Sequence, residues 1–368
     1  MSNNRVRCAL VGCGRIAHNH LRAIFSISGF QLVALCDIDV TKAAEFKQQY
    51  ELPDDVDCFA DLETLLEKVP LDLLIVCKPS GLHPQAAILG AKYGCHVLVE
   101  KPMATKLQDA RAMIRAFDGR PNKLFVVKQN RYNATIQLLK HVIESGRMGR
   151  VYQIVCNVLW TRPQDYYDVA KWRGTWEFDG GAFMNQASHS LDLLIWLFGS
   201  VESVQAFTAT QVRDIEAEDS GVVAIKWRNG ALGSINVSML VYPKNLEGSL
   251  TIIAEKATVK ISGIAFNQIE KWDFADTDNG FVGLSEQEMA TAKLQDQAAQ
   301  ANNYATDSVY GFGHNLYYQK LFETITGAVI DNSNVVDGRS GIKSLELITA
   351  IYRSARDKCC VNLPLDIN

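Results

Sequence analysis

The chain has 368 residues, of which 48% are hydrophobic and 21% charged, and its formal net charge is -4 at pH 7. That length is more than one ordinary domain requires, and the composition is typical of a soluble globular protein. Because the sequence has no block of basic residues, no signal sequence and no apolar run of membrane-spanning length, we expect a cytoplasmic protein that binds neither nucleic acid nor a membrane.

A glycine-rich loop follows the first predicted strand, 6–11. It reads Gly12-Cys13-Gly14-Arg15-Ile16-Ala17, a G-x-G-x-x-A pattern, and a helical pattern over 16–27 begins within it. In this context Gly12 permits a tight turn, Gly14 lets backbone amides approach a pyrophosphate, and Ala17 permits close packing of the helix on the strand. The loop therefore predicts a dinucleotide-binding site to which Gly12, Gly14, Arg15 and Ile16 contribute.

An acidic residue, Asp37, directly follows the second predicted strand, 32–36. This is near the spacing at which a carboxylate receives the adenosine ribose hydroxyls of a bound dinucleotide. The next residue is Ile38 rather than an arginine that could pair with a 2'-phosphate. Because the Asp37 carboxylate would repel that phosphate, the sequence favours NAD over NADP.

The N-terminal part continues as alternating strands and helices, which is typical of a doubly wound parallel sheet. We therefore predict an NAD-binding Rossmann domain over residues 1–130. The predicted strands are 71–77, 95–99 and 124–127, and the predicted helices are 84–93 and 107–117.

The second half of the chain is rich in strands without helices between them, which predicts a mostly antiparallel sheet. A crossing helix, 134–144, precedes this sheet. We predict an α+β domain over 131–368 for substrate binding and oligomerisation, with helices covering one face of the sheet. The predicted strands are 152–159, 201–210, 221–227, 232–239, 249–254 and 258–262, with an Asn229-Gly230 hairpin signal. The predicted amphipathic helices are 181–198, 316–325 and 343–356, and we expect a loop or a short exposed helix over the polar residues 285–303.

The other face of that sheet needs a cover. The alternating apolar residues Ile235, Val237 and Met239 suggest that another subunit provides it. We therefore expect a homodimer or a homotetramer.

Nine cysteines occur, an odd number, and none has C-x-x-C spacing. Several lie in predicted strands. We predict reduced, mostly buried thiols rather than a disulfide framework, and no metal site.

Several motifs resemble the Gfo/Idh/MocA family of NAD(P)-dependent sugar oxidoreductases, and the resemblance spans essentially the whole chain. Besides the glycine-rich loop, they are Glu100-Lys101-Pro102 at a strand end, Asn130-Arg131, His189 in a helix after Gly180-Gly181, and the closing 352–356. Segments 128–132, 160–162, 171–176 and 184–189 resemble the nucleotide-sugar branch of that family. The resemblance implies oxidation of the C3 hydroxyl of UDP-N-acetylglucosaminuronate to its 3-keto form, in bacterial O-antigen and lipopolysaccharide sugar biosynthesis.

Oxidation of a secondary alcohol requires a base for the hydroxyl proton and a group that holds the forming carbonyl oxygen. Lys101 and His189 are the candidates for these two roles. We assign His189 as the base and Lys101 as the residue that orients and polarises the hydroxyl, although the sequence leaves the division of roles open. Many family members have an aspartate four residues before this histidine, where this chain has Asn185, which cannot stabilise an imidazolium by charge.

The resemblance also implies further contacts to cofactor and substrate. Arg162, Lys171 and Arg173, interleaved with aromatic residues such as Trp172, would suit a diphosphate or carboxylate and a stacked ring. For the cofactor, the full candidate set is Gly12, Gly14, Arg15, Ile16, Asp37, Ser80, His83, Glu100, Lys101 and Gln129. For the substrate it is Lys101, Asn130, Arg131, Arg162, Lys171, Trp172, Arg173, Asn185, His189 and His314.

Two other functions remain open at this stage. The substrate could be a free sugar or polyol such as glucose or inositol, or the chain could be a non-catalytic NAD(P)-sensing regulator, against which the presence of both Lys101 and His189 argues. The fate of NADH is also open, because some similar enzymes reoxidise it in place with 2-oxoglutarate and others release it.

Overall fold

The structure is a computed structural model that describes residues 5–275, 313–328 and 335–366. The chain forms two compact units. The first consists of Met1–Lys128, Glu177–Asp179 and His314–Leu345, and the second of Gln129–Trp176, Gly180–Gly313 and Glu346–Asn368. The first unit thus includes two later segments that the predicted division at residue 130 places in the second domain.

The first unit contains a six-stranded sheet with strand order β3-β2-β1-β4-β5-β6, and every pairing is parallel. This is the Rossmann order, in which the strand order reverses between β1 and β4, the point where such folds bind their ligand. The predicted doubly wound fold is confirmed. Its strands are β1 (Val6–Val11), β2 (Phe30–Cys36), β3 (Asp57–Phe59), β4 (Leu73–Val76), β5 (His96–Val99) and β6 (Leu124–Val126), and its N-terminal helices are α1 (Ala17–Phe25), α2 (Val40–Gln49), α3 (Leu62–Lys68), α4 (His83–Lys92) and α5 (Leu107–Phe117).

A late helix, α9 (His314–Thr326), completes this unit. Its aromatic residues Tyr318 and Phe322 pack edge-on against Phe30 of β2, with ring centroids 5.7 and 5.4 Å apart. The short segment Glu177–Asp179 also belongs here, because the Gly81 amide donates to the Phe178 carbonyl. Contacts between residues distant in sequence thus add these two segments to the first unit, and the division at residue 130 stays a prediction.

The second unit contains an eight-stranded sheet with order β13-β12-β11-β7-β10-β9-β8-β14. All its pairings are antiparallel except that of β7 with β10, so the predicted mostly antiparallel sheet is confirmed. The strands are β7 (Val151–Leu159), β8 (Val201–Ala209), β9 (Ser220–Trp227), β10 (Leu232–Ser238), β11 (Glu247–Ala254), β12 (Ala257–Ser262), β13 (Gln268–Phe274) and β14 (Val361–Asn362), and the helices are α6 (Ala134–Glu144), α7 (Gln164–Asp168), α8 (Ser188–Phe198) and α10 (Gly338–Asp357), the last of which begins in the first unit.

The side chains expected to be covered by another subunit are buried inside the chain itself. Ile235, Val237 and Met239 are at most 2% exposed, so that expectation is wrong. The pleat shows the reason, because the paired residues Phe207 and Val222 point to the opposite side of the sheet and are 69% and 50% exposed. Alternation reveals which residues share a face, but not which face the helices cover.

The helix predicted over 181–198 is divided. A π-helical turn, Ala182–Gln186, precedes α8, and the Ala187 amide donates to the Ala182 carbonyl five residues earlier. Moreover, α8 is buried on almost all sides instead of being amphipathic. The predicted segment 285–303 lies outside the described residues. Among the described residues, no helix is long and apolar enough to cross a membrane.

Candidate active site

The glycine-rich loop at the end of β1 has the geometry that a dinucleotide requires. Gly12 has φ +94°, and a Cβ there would lie 2.7 Å from the Cys77 carbonyl oxygen, so no other residue fits. A Cβ at Gly14 would meet nothing within 4 Å. No side chain caps the N-terminus of α1, although the amides of Ala17 and Asn19 already donate to the carbonyls of Gly14 and Ile16. The loop therefore fits NAD.

Asp37 is tied to this loop through its carboxylate. One oxygen accepts a hydrogen bond from the Cys13 amide at 2.8 Å, and the other accepts one from the Asp39 amide at 3.0 Å. Both bonds hold the carboxylate beside the loop, at the end of β2. The predicted juxtaposition of Asp37 with the glycine-rich loop is thus present, next to a 93% exposed Ile38.

Ser80 and His83 lie between β4 and α4, where a 3₁₀ turn, Ser80–Leu82, connects the two elements. The His83 ring is buried, with Nδ1 2.9 Å from the Pro102 carbonyl oxygen and Nε2 2.7 Å from that of Lys78. Burial lowers the pKa of His83, and the two carbonyls oppose that shift. The ring therefore clamps the Lys101–Pro102 segment to the end of β4.

Lys101 stands two residues beyond Val99, the last residue of β5. The Glu100 amide donates to the Val76 carbonyl, and the Lys101 amide donates to the Glu100 carboxylate at 2.9 Å. Glu100 itself is buried, and His20 lies 2.9 Å from its other carboxylate oxygen. The strand end thus presents Lys101 from a backbone held by a buried acid.

His314, a candidate for substrate contact, belongs to the first unit. Its ring stands edge-on to that of His20, with centroids 5.9 Å apart, and neither of its buried ring nitrogens has a hydrogen-bond partner among the described residues. Burial and the nearby charge of His20 lower its pKa to about 4, against an opposing effect of Glu100. His314 is therefore neutral near pH 7.

His189 lies in the first turn of α8 in the second unit, and it is 7% exposed. The Gln129 amide nitrogen is 3.2 Å from His189 Nε2. In the assigned amide orientation Gln129 donates to Nε2, so a neutral ring has its proton on Nδ1. Gln129, predicted to contact the cofactor, is thus in contact with the proposed base.

Two further predicted residues, Asn130 and Arg131, lie in the 3₁₀ turn Gln129–Tyr132. Asn130 Oδ1 is buried and has no hydrogen-bond partner among the described residues, so it can receive a ligand donor. Arg131 instead forms a bidentate ion pair with Asp192 of α8, at 2.7 and 2.8 Å. The Arg131 guanidinium is therefore already bound to a carboxylate within the protein.

The predicted cationic cluster is partly assembled around Tyr166. The guanidinium carbons of Arg162 and Arg173 lie 5.4 and 4.1 Å from the centre of its ring. Arg173 also lies over Trp172, at 5.5 Å, whereas Lys171 is exposed. Two arginines and two aromatic rings thus occur together, as a diphosphate or stacked-ring site requires.

The residues that support the π-helical turn before α8 were not among the predicted site residues. Glu218 accepts hydrogen bonds from the Phe183 amide at 2.9 Å and the Tyr352 hydroxyl at 2.9 Å, and that hydroxyl accepts one from the Met184 amide. These contacts fix the segment that contains Asn185 and leads to His189. The partners are remote in sequence, and only the closing motif containing Tyr352 indicated one of them.

The described residues contain no cluster of three histidine, cysteine or acidic side chains that could hold a metal ion. They include all nine cysteines, each of which is a free thiol.

Two family profiles cover most of the chain. The NAD-binding Rossmann fold of the Gfo/Idh/MocA oxidoreductase family matches residues 6–128, and its C-terminal alpha/beta domain matches residues 140–363. A curated relative, D-apiose dehydrogenase of Paraburkholderia graminis, is 24% identical over 98% of this chain and 90% of its own length.

Two solved structures resemble the chain over its whole length. The WlbA dehydrogenase from Bordetella pertussis, in complex with NADH and UDP-GlcNAcA, is 48% identical with a TM-score of 0.88, and the match covers 100% of both chains. WlbA from Chromobacterium violaceum, in complex with the same two ligands, is 47% identical with a TM-score of 0.88, covering 100% of this chain and 98% of its own.

Proposed function

Because this chain belongs to the Gfo/Idh/MocA family of NAD-dependent oxidoreductases, we propose that it oxidises the C3 hydroxyl of UDP-N-acetylglucosaminuronate to the 3-keto sugar. The observation that carries the proposal is the 48% identity, over the full length of both chains, to a WlbA dehydrogenase bound to NADH and UDP-GlcNAcA. The resulting ketone would serve sugar biosynthesis for bacterial O-antigen and lipopolysaccharide.

In this reaction NAD would supply the hydride acceptor, and the glycine-rich loop and Asp37 would hold it. We propose that His189 removes the hydroxyl proton and that Lys101 orients and polarises the same hydroxyl. The contact between Gln129 and His189 Nε2 identifies the atom involved, because in this tautomer Nε2 carries the one lone pair of the ring that can take a proton. The substrate hydroxyl would therefore have to replace the Gln129 amide at Nε2. Asn185, whose side-chain amide is neutral, would form a hydrogen bond with a substrate hydroxyl and add no charge to the site.

The arginine and aromatic cluster supports a nucleotide sugar as the substrate. Arg162 and Arg173 offer guanidinium groups to a diphosphate or a uronate carboxylate, and Trp172 offers a ring face. Asn130 offers the buried Oδ1 described above.

We also propose that 2-oxoglutarate reoxidises the bound NADH and that the protein is cytoplasmic. A homodimer or homotetramer would form through the sheet face that exposes Phe207 and Val222.

A single-turnover absorbance experiment tests the proposal. NAD-loaded protein is mixed with UDP-N-acetylglucosaminuronate, UDP-N-acetylglucosamine or inositol, and reduction of the nicotinamide is followed. We expect reduction with the uronate alone, and reoxidation when 2-oxoglutarate is then added. Lys101→Ala and His189→Ala should abolish reduction while NAD still binds, whereas His141→Ala, which removes an exposed histidine of α6, should not.

The other outcomes point to the other functions. Reduction with inositol or another free sugar would replace the nucleotide sugar as the substrate. Bound NAD without reduction by any sugar would favour a cofactor-sensing regulator. Analytical ultracentrifugation that shows a stable monomer would exclude the proposed assembly.

A further inference from the structure

We propose that His20 and Tyr318 are positioning residues for Lys101, and that they act through Glu100. His20 lies on α1 and Tyr318 on α9, and neither belongs to a motif of the site. It rests on the role proposed above for Lys101, and its test separates the two.

A continuous chain of hydrogen bonds joins the four residues. The Tyr318 hydroxyl is 2.6 Å from His20 Nδ1, His20 Nε2 is 2.9 Å from one Glu100 oxygen, and the other Glu100 oxygen is 2.9 Å from the Lys101 amide. Tyr318 and His20 are fully buried, and Glu100 is 6% exposed. Each heavy atom in the chain therefore has its partner at normal hydrogen-bond distance within the protein.

The direction of these bonds follows from the charge on Glu100. Burial raises its pKa, but the hydrogen bond and charge of His20 and the charges of Lys101 and His314 lower it to about 2. An ionised carboxylate only accepts, so His20 Nε2 and the Lys101 amide both donate to it. Burial raises the pKa of Tyr318 well above its usual value, so its hydroxyl keeps the proton, and its oxygen lies within hydrogen-bond distance of His20 Nδ1.

This series of hydrogen bonds lies where the backbone leaves the sheet. The Val99 carbonyl and the Glu100 amide still take part in bonds to neighbouring strands, whereas the Lys101 amide is bonded to the Glu100 carboxylate. The carboxylate thus sets the backbone direction from which the Lys101 side chain leaves. The charges of Glu100 and Lys101 also attract each other, which contributes to the lowered pKa of Glu100.

Burying a carboxylate is costly unless donors surround it, and a purely structural site would be served as well by an apolar residue. Here the charge lies beside the proposed active lysine. A pH effect of the network involves every ionisable group that interacts with Glu100, namely His20, Cys77, His83, Lys101, His314 and Tyr318.

The test compares three variants with a matched control. Tyr318→Phe, His20→Gln and Glu100→Gln each break one link while nearly keeping the volume. The control is Tyr317→Phe on the same helix, which removes an equally buried hydroxyl bonded to the Val126 carbonyl at 3.1 Å. For each protein kcat, KM for NAD, the pH dependence of kcat and the unfolding midpoint are measured.

We expect the three network variants to lower kcat by about 10- to 100-fold, as small displacements of a reacting group do. Their KM for NAD should stay near that of the parent protein, and Glu100→Gln should shift the pH profile of kcat. Tyr317→Phe should lose stability but keep its kcat and pH profile. If Tyr318→Phe behaves like Tyr317→Phe, the network is only structural and the proposal is wrong.

A second measurement needs no substrate. The Lys101 amine is labelled with acetic anhydride over a range of pH, and its modification is followed by mass spectrometry. Loss of the Glu100 charge should move the labelling midpoint to lower pH in Glu100→Gln, and an unchanged midpoint would overturn the electrostatic part of the inference. If the labelling shifts but Lys101→Ala still turns over substrate, the proposed role of Lys101 fails while the network stands.

Discussion

Arg131 and Asp192 form a buried ion pair with two parallel hydrogen bonds, from Nε at 2.7 Å and from a terminal guanidinium nitrogen at 2.8 Å. The guanidinium also lies over the Trp196 ring, 5.3 Å from its centre. The pair joins the 3₁₀ turn that contains Gln129 to the helix that contains His189. It therefore supports the proposed base and the amide that contacts it.

Removing one member of this pair leaves a charge buried without its counterion. We expect Asp192→Asn to lower the free energy of unfolding by about 3–5 kcal/mol, measured by urea denaturation. The matched control is Glu202→Gln, which breaks an ion pair with Lys226 at 2.7 Å whose side chains are 39% and 47% exposed. Because exposed pairs contribute at most about 1 kcal/mol, equal losses in the two variants would contradict the interpretation.

Alanine substitutions at the two loop glycines should separate folding from cofactor binding. Gly12→Ala places a methyl group 2.7 Å from a backbone oxygen at φ +94°, so we expect a loss of stability of at least about 1 kcal/mol. Gly14→Ala meets open space, and we expect stability to be kept. Its methyl group would instead obstruct the pyrophosphate, so titration with NAD should show weaker binding. Full NAD affinity in Gly14→Ala would place the pyrophosphate elsewhere.

Acid should destabilise the first unit through His314. The pKa of its folded form is about 4, below the ordinary value of 6.5, so only the unfolded chain binds this proton between these values. The contribution of His314 to stability is therefore complete above pH 6.5 and is lost as the pH falls towards 4. His314→Gln should reduce the proton uptake on unfolding at pH 5 by up to about one proton, measured as the pH dependence of the unfolding free energy.

The control for that experiment is His141→Gln, since His141 is exposed on α6. This variant should keep the parental dependence on pH. An unchanged dependence in His314→Gln would show that His314 is not buried in neutral form.

Cysteine reactivity should divide the thiols by burial. Cys359 and Cys360 are exposed, Cys58 is half-buried, and the other six are buried. Burial raises the pKa of Cys13 and Cys156 to about 12. In native protein we expect an aromatic disulfide reagent to react rapidly with two thiols, and with all nine only after unfolding.

The double variant Cys359→Ser and Cys360→Ser provides the check on this assignment. It should lose the rapid phase and keep the rest. A rapid phase that persists would mean that a thiol buried in the structure is accessible in solution.

The strand and loop pattern of the first unit could be predicted because its signals are local. The alternation of short apolar strands with helices, together with Gly12, Gly14 and Asp37 at the ends of β1 and β2, specifies a dinucleotide fold within a few dozen residues. Helix α5 was predicted at the residues where it occurs, Leu107–Phe117.

The remaining features depend on partners distant in sequence. Arg131 meets Asp192 across 61 positions, and His20 meets Tyr318 across 298. No periodic pattern indicates such pairs, so Arg131 was predicted as a substrate ligand without its internal counterion. Similarly, α8 was predicted to be amphipathic because its sequence does not show that it is enclosed on almost all sides.

The split composition of the first unit has a consequence for how the protein is made. During synthesis the six parallel strands emerge first, but Phe30 and His20 obtain their partners on α9 only after residue 322 has left the ribosome. A truncated gene ending at residue 130 would therefore yield a cofactor domain with an exposed aromatic surface, prone to aggregate. A recombinant version of that domain would need residues 314–345 grafted on through a linker.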